Sequence, residues 1–383
     1  MTATVGILGG GQLARMLALA GAPLGLRCLV MDTVADACAA QYVPLLHADY
    51  CDKLALAEFA SRVDVATFDF ENVPAESAEW LAQRIPVFPG PRALAVAQDR
   101  LAEKTLFQDL GIGTPRFSAV LSRPDLDRAL SDIGAPSILK TRRLGYDGKG
   151  QFRLRSHYDA DAAWAALGDQ CDRVGLILES FVPFERELSV VAVRGRDGEV
   201  RTWPITRNWH SDGILSASLA PARVSNDIAA EALVAAGRVA ESLDYVGVFA
   251  LELFETPSGL LANEMAPRVH NSGHWTIEGA HCSQFENHLR AVLGLPLGPT
   301  SARGVSCMLN WVGELPDPLA VLRLAGAHWH DYGKSPRAGR KVGHTTCVAD
   351  SAQELAVMLE TLGIALDRRS QTESVIDALR SSV

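Results

Sequence analysis

The stretch Phe249-Ala250-Leu251-Glu252-Leu253-Phe254-Glu255-Thr256-Pro257-Ser258-Gly259-Leu260-Leu261-Ala262-Asn263-Glu264-Met265 decides the architecture. Two apolar runs, 245–254 and 260–265, flank turn residues, so the segment predicts a β-hairpin. Pro257 and Ser258 suit a type I turn and Gly259 the left-handed position of a bulge, a three-residue loop that pairs Thr256 with Leu260. That register sets Glu252 opposite Glu264 on one face, with Cβ atoms roughly 5 Å apart. Opposed carboxylates repel unless a cation lies between them, and their apolar setting makes uncompensated charge costly. Magnesium held by the two glutamates and by substrate phosphates resolves the conflict. An exposed hairpin face with two solvated glutamates is the competing reading.

Upstream, Leu139-Lys140-Thr141-Arg142-Arg143-Leu144-Gly145-Tyr146-Asp147-Gly148-Lys149-Gly150-Gln151 places a lysine at a strand end before a glycine-rich loop. Glycines let backbone N–H groups close around phosphate oxygens, and Lys140 and Lys149 add positive charge for the same anion. The loop is not a Walker A motif, and a hairpin turn with solvated lysines would explain its glycines but not its other cations. Ile177-Leu178-Glu179-Ser180-Phe181-Val182, eight positions ahead of Glu187 as counted from Glu179, reads as a strand leaving its edge into an apolar connection. Such an edge suits an adenine ring, with a nearby carboxylate for ribose. Further upstream, 95–110 is one helical pattern stopped by Gly111.

The first 90 residues alternate strands (5–8, 26–31, 63–68) with helices (12–19, and one capped by Asp52), which implies a parallel sheet of βαβ units. Gly9-x-Gly11-x-x-Ala14, with Asp32 ending the next strand, has the context of a dinucleotide fingerprint and supports a rival reading, an NAD-dependent oxidoreductase. Any βαβ unit wants glycine at its first turn, whatever it binds. His270-Asn271-Ser272-Gly273-His274 has zinc-like spacing but no helix and no cysteine partner, so a polar substrate pocket or a structural histidine is the expectation. Lys334, Arg337, Arg340 and Lys341 share a loop broken by Pro336, Gly339 and Gly343, either a solvated turn or a phosphate clamp.

The 383 residues carry 36 Lys+Arg against 45 Asp+Glu, a net charge of −9 that argues against a nucleic-acid coat or a polybasic membrane surface. No apolar run approaches a membrane span and no leader is read at the N-terminus, so a cytoplasmic location is expected. Seven cysteines, an odd number with no C-x-x-C pair, speak against a disulfide framework or a zinc ribbon.

The order lysine–glycine loop, adenine edge, paired glutamates resembles the ATP-grasp superfamily. Within it, the segments 143–151, 263–276 and 339–344, together with Phe70-Glu71-Asn72-Val73-Pro74 and Gly11-Gln12-Leu13-Ala14-Arg15-Met16-Leu17, are similar to the N5-carboxyaminoimidazole ribonucleotide synthase family. The resemblance implies a mixed α/β and α+β fold: a Rossmann-like N-terminal parallel-sheet domain (1–98), a central ATP-grasp domain (99–299, lid about 115–186) and a small C-terminal domain (300–383). It implies a ligase of de novo purine biosynthesis that uses ATP and bicarbonate to carboxylate 5-aminoimidazole ribonucleotide through carboxyphosphate, with Mg²⁺ as cofactor. A homodimer and a hand-over to the mutase that follows are also implied, with no nucleic acid and no membrane. A sister ATP-grasp enzyme acting on another purine intermediate is the nearest alternative.

By the same resemblance, ATP contacts Arg100, Lys140, Gly145, Tyr146, Asp147, Gly148, Lys149, Gly150, Gln151, Glu179, Ser180, Phe181, Val182, Glu187, His210, Asn263 and Glu264. Glu252 and Glu264 hold the metal. Tyr146, Asp147, Arg268, His270, Asn271, Lys334, Arg337 and Arg340 form the ribonucleotide site, and Arg268, Lys140 and Asp147 are the catalytic candidates. Leu144 departs from a frequent glycine, Ala266 from a frequent metal-site asparagine, and Asp69 from a more usual glutamate.

Overall fold

The computed structural model describes residues 3–145 and 150–381. Four short strands, β1 (Thr4–Leu8), β2 (Arg27–Asp32), β3 (Leu45–His47) and β4 (Val65–Phe68), form a parallel sheet in the order β3-β2-β1-β4. Helices α1 (Gln12–Gly21), α2 (Lys53–Arg62) and α3 (Ala75–Ala82) belong to its connections. As expected, Asp52 caps α2, its Oδ1 accepting from Leu54 N at 2.9 Å.

The single helix expected over 95–110 is two, α4 (Pro91–Ala97) and α5 (Arg100–Asp109). The break has two causes. Gln98 Nε2 donates to the Glu71 and Val73 carbonyls at 2.8 and 2.6 Å, and Asp99 takes an extended N-cap conformation, accepting from Leu101 N at 3.0 Å. Gly111 does stop α5: its φ of +67° suits the left-handed position, and Ile112 N donates to Phe107 O at 2.8 Å.

A second sheet is antiparallel. It comprises β5 (Phe117–Val120), β6 (Ser137–Thr141), β7 (Gln151–Leu154) and β8 (Leu176–Ser180) in the order β5-β8-β6-β7. Helices α6 (Arg123–Ile133), α7 (Ala160–Leu167) and α8 (Cys171–Val174) accompany it, and its core is its own, built on Val120, Leu126, Leu139, Leu154 and Leu178.

The third sheet has nine strands among the described residues. They are β9 (Arg186–Arg194), β10 (Val200–Thr202), β11 (Thr206–Ser211), β12 (Ile214–Ala220), β13 (Gly247–Thr256), β14 (Gly259–Ala266), β15 (Val305–Val312), β16 (Ala327–Asp331) and β17 (Lys341–Ala349). The order is β14-β13-β9-β11-β12-β15-β17-β16, with β10 added to β9, so strands from the chain's last third extend the central sheet. The helices are α9 (Asn226–Ser242), α10 (Thr276–Gly279), α11 (Gln284–Leu293), α12 (Pro318–Leu322), α13 (Ala352–Ala365) and α14 (Arg369–Arg380). The final segment, motif-free in sequence, covers one sheet face: Leu355, Leu359, Val375 and Leu379 pack with Leu309, Trp311 and Cys347.

The parallel sheet is fastened to the nine-stranded one. Ile7, Leu17 and Val30 share a core with Val191, Val248, Phe285 and Leu289. Inside it, His288 takes 2.7 Å to Thr67 Oγ1 and accepts from Val248 N at 3.0 Å, so one imidazole joins β4 to β13; burial pushes it down to about 4.

The hairpin differs from the expected one in its turn. Thr256 pairs with Gly259, so the loop is the two residues Pro257-Ser258, and Gly259, at φ +117°, is the first residue of β14. A regular ladder from that turn would bring Asn263 opposite Glu252. A bulge intervenes: Leu253 pairs with Ala262, Glu252 with Glu264, and Asn263 is the extra residue. The carboxylates are opposed as expected, by a shorter turn plus a bulge.

Candidate active site

The site assembles where β6 and β8 of the second sheet meet α5 and the β13–β14 hairpin. Asp99, the N-cap of α5, accepts from Arg142 Nε at 3.0 Å and Arg142 Nη2 at 2.6 Å, and Arg143 Nε lies at 3.3 Å. Those bonds tie the end of β6, just ahead of the glycine loop, to the helix that carries Arg100. They also hold the Asp99 carboxyl low despite its burial.

Lys140 Nζ donates to Glu179 Oε2 at 2.8 Å across the second sheet. Lys104, fully buried on α5, lies 3.4 Å from the same oxygen and donates to Asn263 O at 3.0 Å, bridging second sheet and hairpin. Burial alone would raise Glu179, but the two ammonium groups outweigh it and keep the carboxylate ionised; burial lowers Lys104. Among the described residues, Glu179 Oε1 is buried without a hydrogen-bond partner. Arg100 Nη1 donates to Glu264 Oε2 at 2.8 Å and, against the pull of burial, holds Glu264 at about 2.

Opposite Glu264, Glu252 Oε1 sits 3.1 Å from His270 Nε2, and His270 Nδ1 is 2.9 Å from Ser272 Oγ. The two carboxylates are thus opposed across the hairpin, Glu264 held low by Arg100 and Glu252 beside His270. Two carboxylates plus phosphates are the usual Mg²⁺ set, so the residues fit the ion the fold implies. Among the described residues, no group of three or more histidine, cysteine or carboxylate residues is placed to hold a metal.

On the neighbouring strands, His210 Nδ1 pairs with Glu187 Oε2, which raises the imidazole against the effect of burial. Ser180 and Phe181 N–H groups are spent on Arg116 O and Pro136 O, while Val182 is buried beyond them. Gly150 O accepts from Thr141 N at 2.8 Å, closing the base of the glycine loop, and Gln151 pairs with Lys140. Gly145 and Leu144 are the last described residues before Tyr146, Asp147, Gly148 and Lys149, which lie outside the described residues.

The remaining residues expected for substrate lie on the side of the parallel sheet. Arg268 Nη2 is 2.5 Å from Glu71 Oε2. Lys334 Nζ meets Gln12 Oε1 at the start of α1, and both Lys334 and Arg268 act electrostatically on Asp69. Arg340 Nη1 donates to Ser335 O at 3.2 Å, and Arg337 is exposed. Asn271 behaves differently: its side-chain amide faces Asn310, with Asn310 Nδ2 donating to Asn271 Oδ1 at 2.7 Å, so the side chain is committed to the protein interior. Its neighbour His274 is buried too, Nδ1 at 3.2 Å from Gln284 Nε2, the structural histidine of the two sequence readings.

The dinucleotide reading is overturned at α1. Asp69, 9% exposed, accepts from Ala14 N at 2.8 Å, so an internal carboxylate already occupies the helix N-terminus that a pyrophosphate would need. Gly9 has φ +100°, a conformation that side chains rarely adopt, and a Cβ there would also come within 2.4 Å of Asp69 Oδ1. Asp32 is used likewise, accepting from Gly10 N at 2.5 Å. Glu103, Lys104, Asp99, Glu71 and the role of Asp69 were missed in sequence. Glu103 and Lys104 had one available signal, charges three and four residues after Arg100, on the face that Arg100 shares.

Comparison with known proteins agrees with this geometry. Residues 105–285 match the ATP-grasp domain, 1–98 the ribonucleotide synthetase preATP-grasp domain, and 306–358 the phosphoribosylaminoimidazole carboxylase C-terminal domain. The chain is 54% identical over 342 residues to the N5-carboxyaminoimidazole ribonucleotide synthase of Pseudomonas aeruginosa, covering 89% of this chain and 93% of the relative. It superposes on the crystal structure of the Thermus thermophilus N5-carboxyaminoimidazole ribonucleotide synthetase with TM-score 0.90 and 53% identity, over 94% of this chain and 98% of that one. An Aspergillus clavatus N5-carboxyaminoimidazole synthase in complex with ADP and 5-aminoimidazole ribonucleotide matches with TM-score 0.87 and 30% identity, over 96% and 99%.

Proposed function

Because the chain belongs to the N5-carboxyaminoimidazole ribonucleotide synthase family of ATP-grasp ligases, whose activity is the ATP-dependent carboxylation of 5-aminoimidazole ribonucleotide, we propose how its own side chains divide that work. The observation that carries the proposal is the Glu252–Glu264 pair, opposed across the hairpin with Arg100 and the Lys140–Glu179 ion pair beside it. Mg²⁺, when bound there, supplies neutralisation of phosphate charge.

ATP binds with its adenine along β8, where the unpartnered Glu179 Oε1 accepts from the exocyclic amine and the Ser180–Val182 segment supplies an apolar wall. Glu187, oriented by His210, takes a ribose hydroxyl. Arg100, beside Glu264, draws charge from the transferring phosphoryl group, and Lys140, beside Glu179, from the phosphate nearer the base. Bicarbonate is a poor electrophile and the aminoimidazole amine a weak nucleophile. Transfer of the γ-phosphoryl to bicarbonate makes carboxyphosphate, which releases CO₂ beside the amine, so holding the two reactants together is most of the catalysis. Arg268 stabilises the bicarbonate-derived oxyanion, its orientation held by Glu71, and His270 orients the ribonucleotide. Lys334, Arg337 and Arg340 grip the 5′-phosphate. Gly145, Gly150 and Gln151 frame the phosphate loop, and Tyr146, Asp147, Gly148 and Lys149 complete it. Bicarbonate as carbon source, a homodimer, hand-over to the mutase that follows and a cytoplasmic setting belong to the same proposal, supported by family membership. No helix among the described residues is long and apolar enough to cross a membrane.

Phosphate release from ATP and bicarbonate, with and without 5-aminoimidazole ribonucleotide, tests the assignment. Strong stimulation by the ribonucleotide is expected. Equal stimulation by another purine-pathway amine would redirect it to a sister ATP-grasp enzyme.

A further inference from the structure

Strand β14 is a free edge of the nine-stranded sheet, so the N–H groups along its outer side need partners that are not strands. Three have them. Glu231 accepts from Leu260 N at 3.3 Å, Gly113 O from Ala262 N at 2.7 Å, and Glu103 Oε1 from Met265 N at 2.6 Å. The spacing is two residues and then three, and the longer step spans the bulge at Asn263. Just there, Lys104 Nζ takes the Asn263 carbonyl at 3.0 Å. Two adjacent side chains of α5, 2% and 0% exposed, therefore hold the peptide groups on either side of Glu264, while Arg100, one turn earlier, holds its carboxylate.

Burying a carboxylate and an ammonium is expensive, and a plain carbonyl caps Ala262 without that cost. What the pair adds is location. From the two-residue turn, a ladder without the bulge sets Asn263 against Glu252 and sends Glu264 to the other face. We infer that Glu103 and Lys104 are positioning residues that pin the bulge at Asn263 and thereby keep Glu264 opposite Glu252. The inference rests on the proposed metal role of those two glutamates.

ADP binding to the whole enzyme, measured by calorimetry across a Mg²⁺ titration, tests it without reading activity. In Glu103→Leu, which removes the acceptor for Met265 N, the Mg²⁺ concentration that half-maximally strengthens ADP binding is expected to rise about 10- to 100-fold, as when a metal ligand loses its support. ADP binding without Mg²⁺ should stay within about twofold of the parent, and Glu103→Gln, which keeps an oxygen for Met265 N, should recover most of the response. Glu103→Ala carries the same expectation and serves if the leucine variant does not fold. An unchanged Mg²⁺ midpoint in a folded Glu103→Leu or Glu103→Ala protein, beside a Glu264→Gln protein that has lost the Mg²⁺ response, overturns the positioning role alone. Equal loss of Mg²⁺-free binding overturns it as well. A Mg²⁺ response retained by Glu264→Gln removes the premise and overturns both, a pattern distinct from the first.

Discussion

Glu264 shows how a single residue is tuned here: burial pushes its carboxyl up, Arg100 at 2.8 Å pulls it down, and the cation wins. Converting Glu252 or Glu264 to Gln keeps size and hydrogen-bonding while removing charge. Turnover is expected to fall at least about 100-fold, since metal clamps supply several kcal/mol of transition-state stabilisation. Nucleotide affinity should weaken only when Mg²⁺ is present; steady-state kinetics and binding with and without the ion check both. Asp69 is the opposite case. Burial outweighs the Ala14 N–H and the nearby Arg268 and Lys334, and raises its carboxyl to about 6 from 3.8. The folded protein thus keeps a proton that the unfolded chain releases, so this residue's contribution to stability declines as pH rises from about 4 to about 6 and is flat above. The difference corresponds to about 3 kcal/mol. Asp69→Asn retains an acceptor for Ala14 N and should remove that decline; denaturant unfolding at pH 5 and pH 8, parent against variant, is the measurement. Sequence reading attached no consequence to Asp69, because its partner Ala14 lies 55 positions away and burial cannot be read from a residue type.

At the scale of elements, the hairpin and the basic loop carry the argument. The turn register read in residues 249–265 opposed Glu252 and Glu264 correctly, although the turn itself is a different one. The turn was misjudged because a three-residue loop and a two-residue loop plus a bulge give the same Glu252–Glu264 pairing, and the bonds of Glu103 and Lys104 beside the bulge come from 162 and 159 residues away. The helix break at Gln98-Asp99 escaped for the same kind of reason: Gln98 is held by the Glu71 and Val73 carbonyls. The loop after Gly333 was legible as four cations on a Gly/Pro-broken segment, and the structure adds that Lys334 reaches Gln12 at the N-terminus of α1 while Arg340 is anchored on Ser335 O. Each charge-assisted bond to a phosphate is worth on the order of 1.5–3 kcal/mol, so Arg337→Ala or Arg340→Ala should raise KM for the ribonucleotide roughly 10- to 150-fold. KM for ATP should move little. Kinetics with both substrates, and with the phosphate-free riboside, distinguish a clamp on the ribonucleotide from one on ATP.

Over the whole molecule, three sheets do not mean three independent cores. The parallel sheet shares one core with β9 and β13 and keeps a second, around Leu29, Phe59 and Phe68, to itself, whereas the β5-β8-β6-β7 sheet buries its own residues. Phe285, 1% exposed in the shared core, is therefore a lever on both the parallel and the nine-stranded sheet. Phe285→Ala is expected to cost about 3–5 kcal/mol. Amide exchange should quicken together in β1 and β9 and remain unchanged in β6 and β8; loss confined to one sheet would show that the cores are separate. Sequence by itself determined the strand–helix alternation of the first 90 residues, the paired glutamates, the lysine before the glycine loop and the isolated basic loop, because each depends on local periodicity, turn chemistry or charge within a short window. Tertiary structure alone decided that Asp69 closes the α1 N-terminus, that Lys104 joins Glu179 to Asn263, that Asn271 turns inward to Asn310, and that the last two helices cover the extended sheet. Each of those rests on which distant group is left buried and in need of a partner, and that follows from packing, which no window of sequence contains.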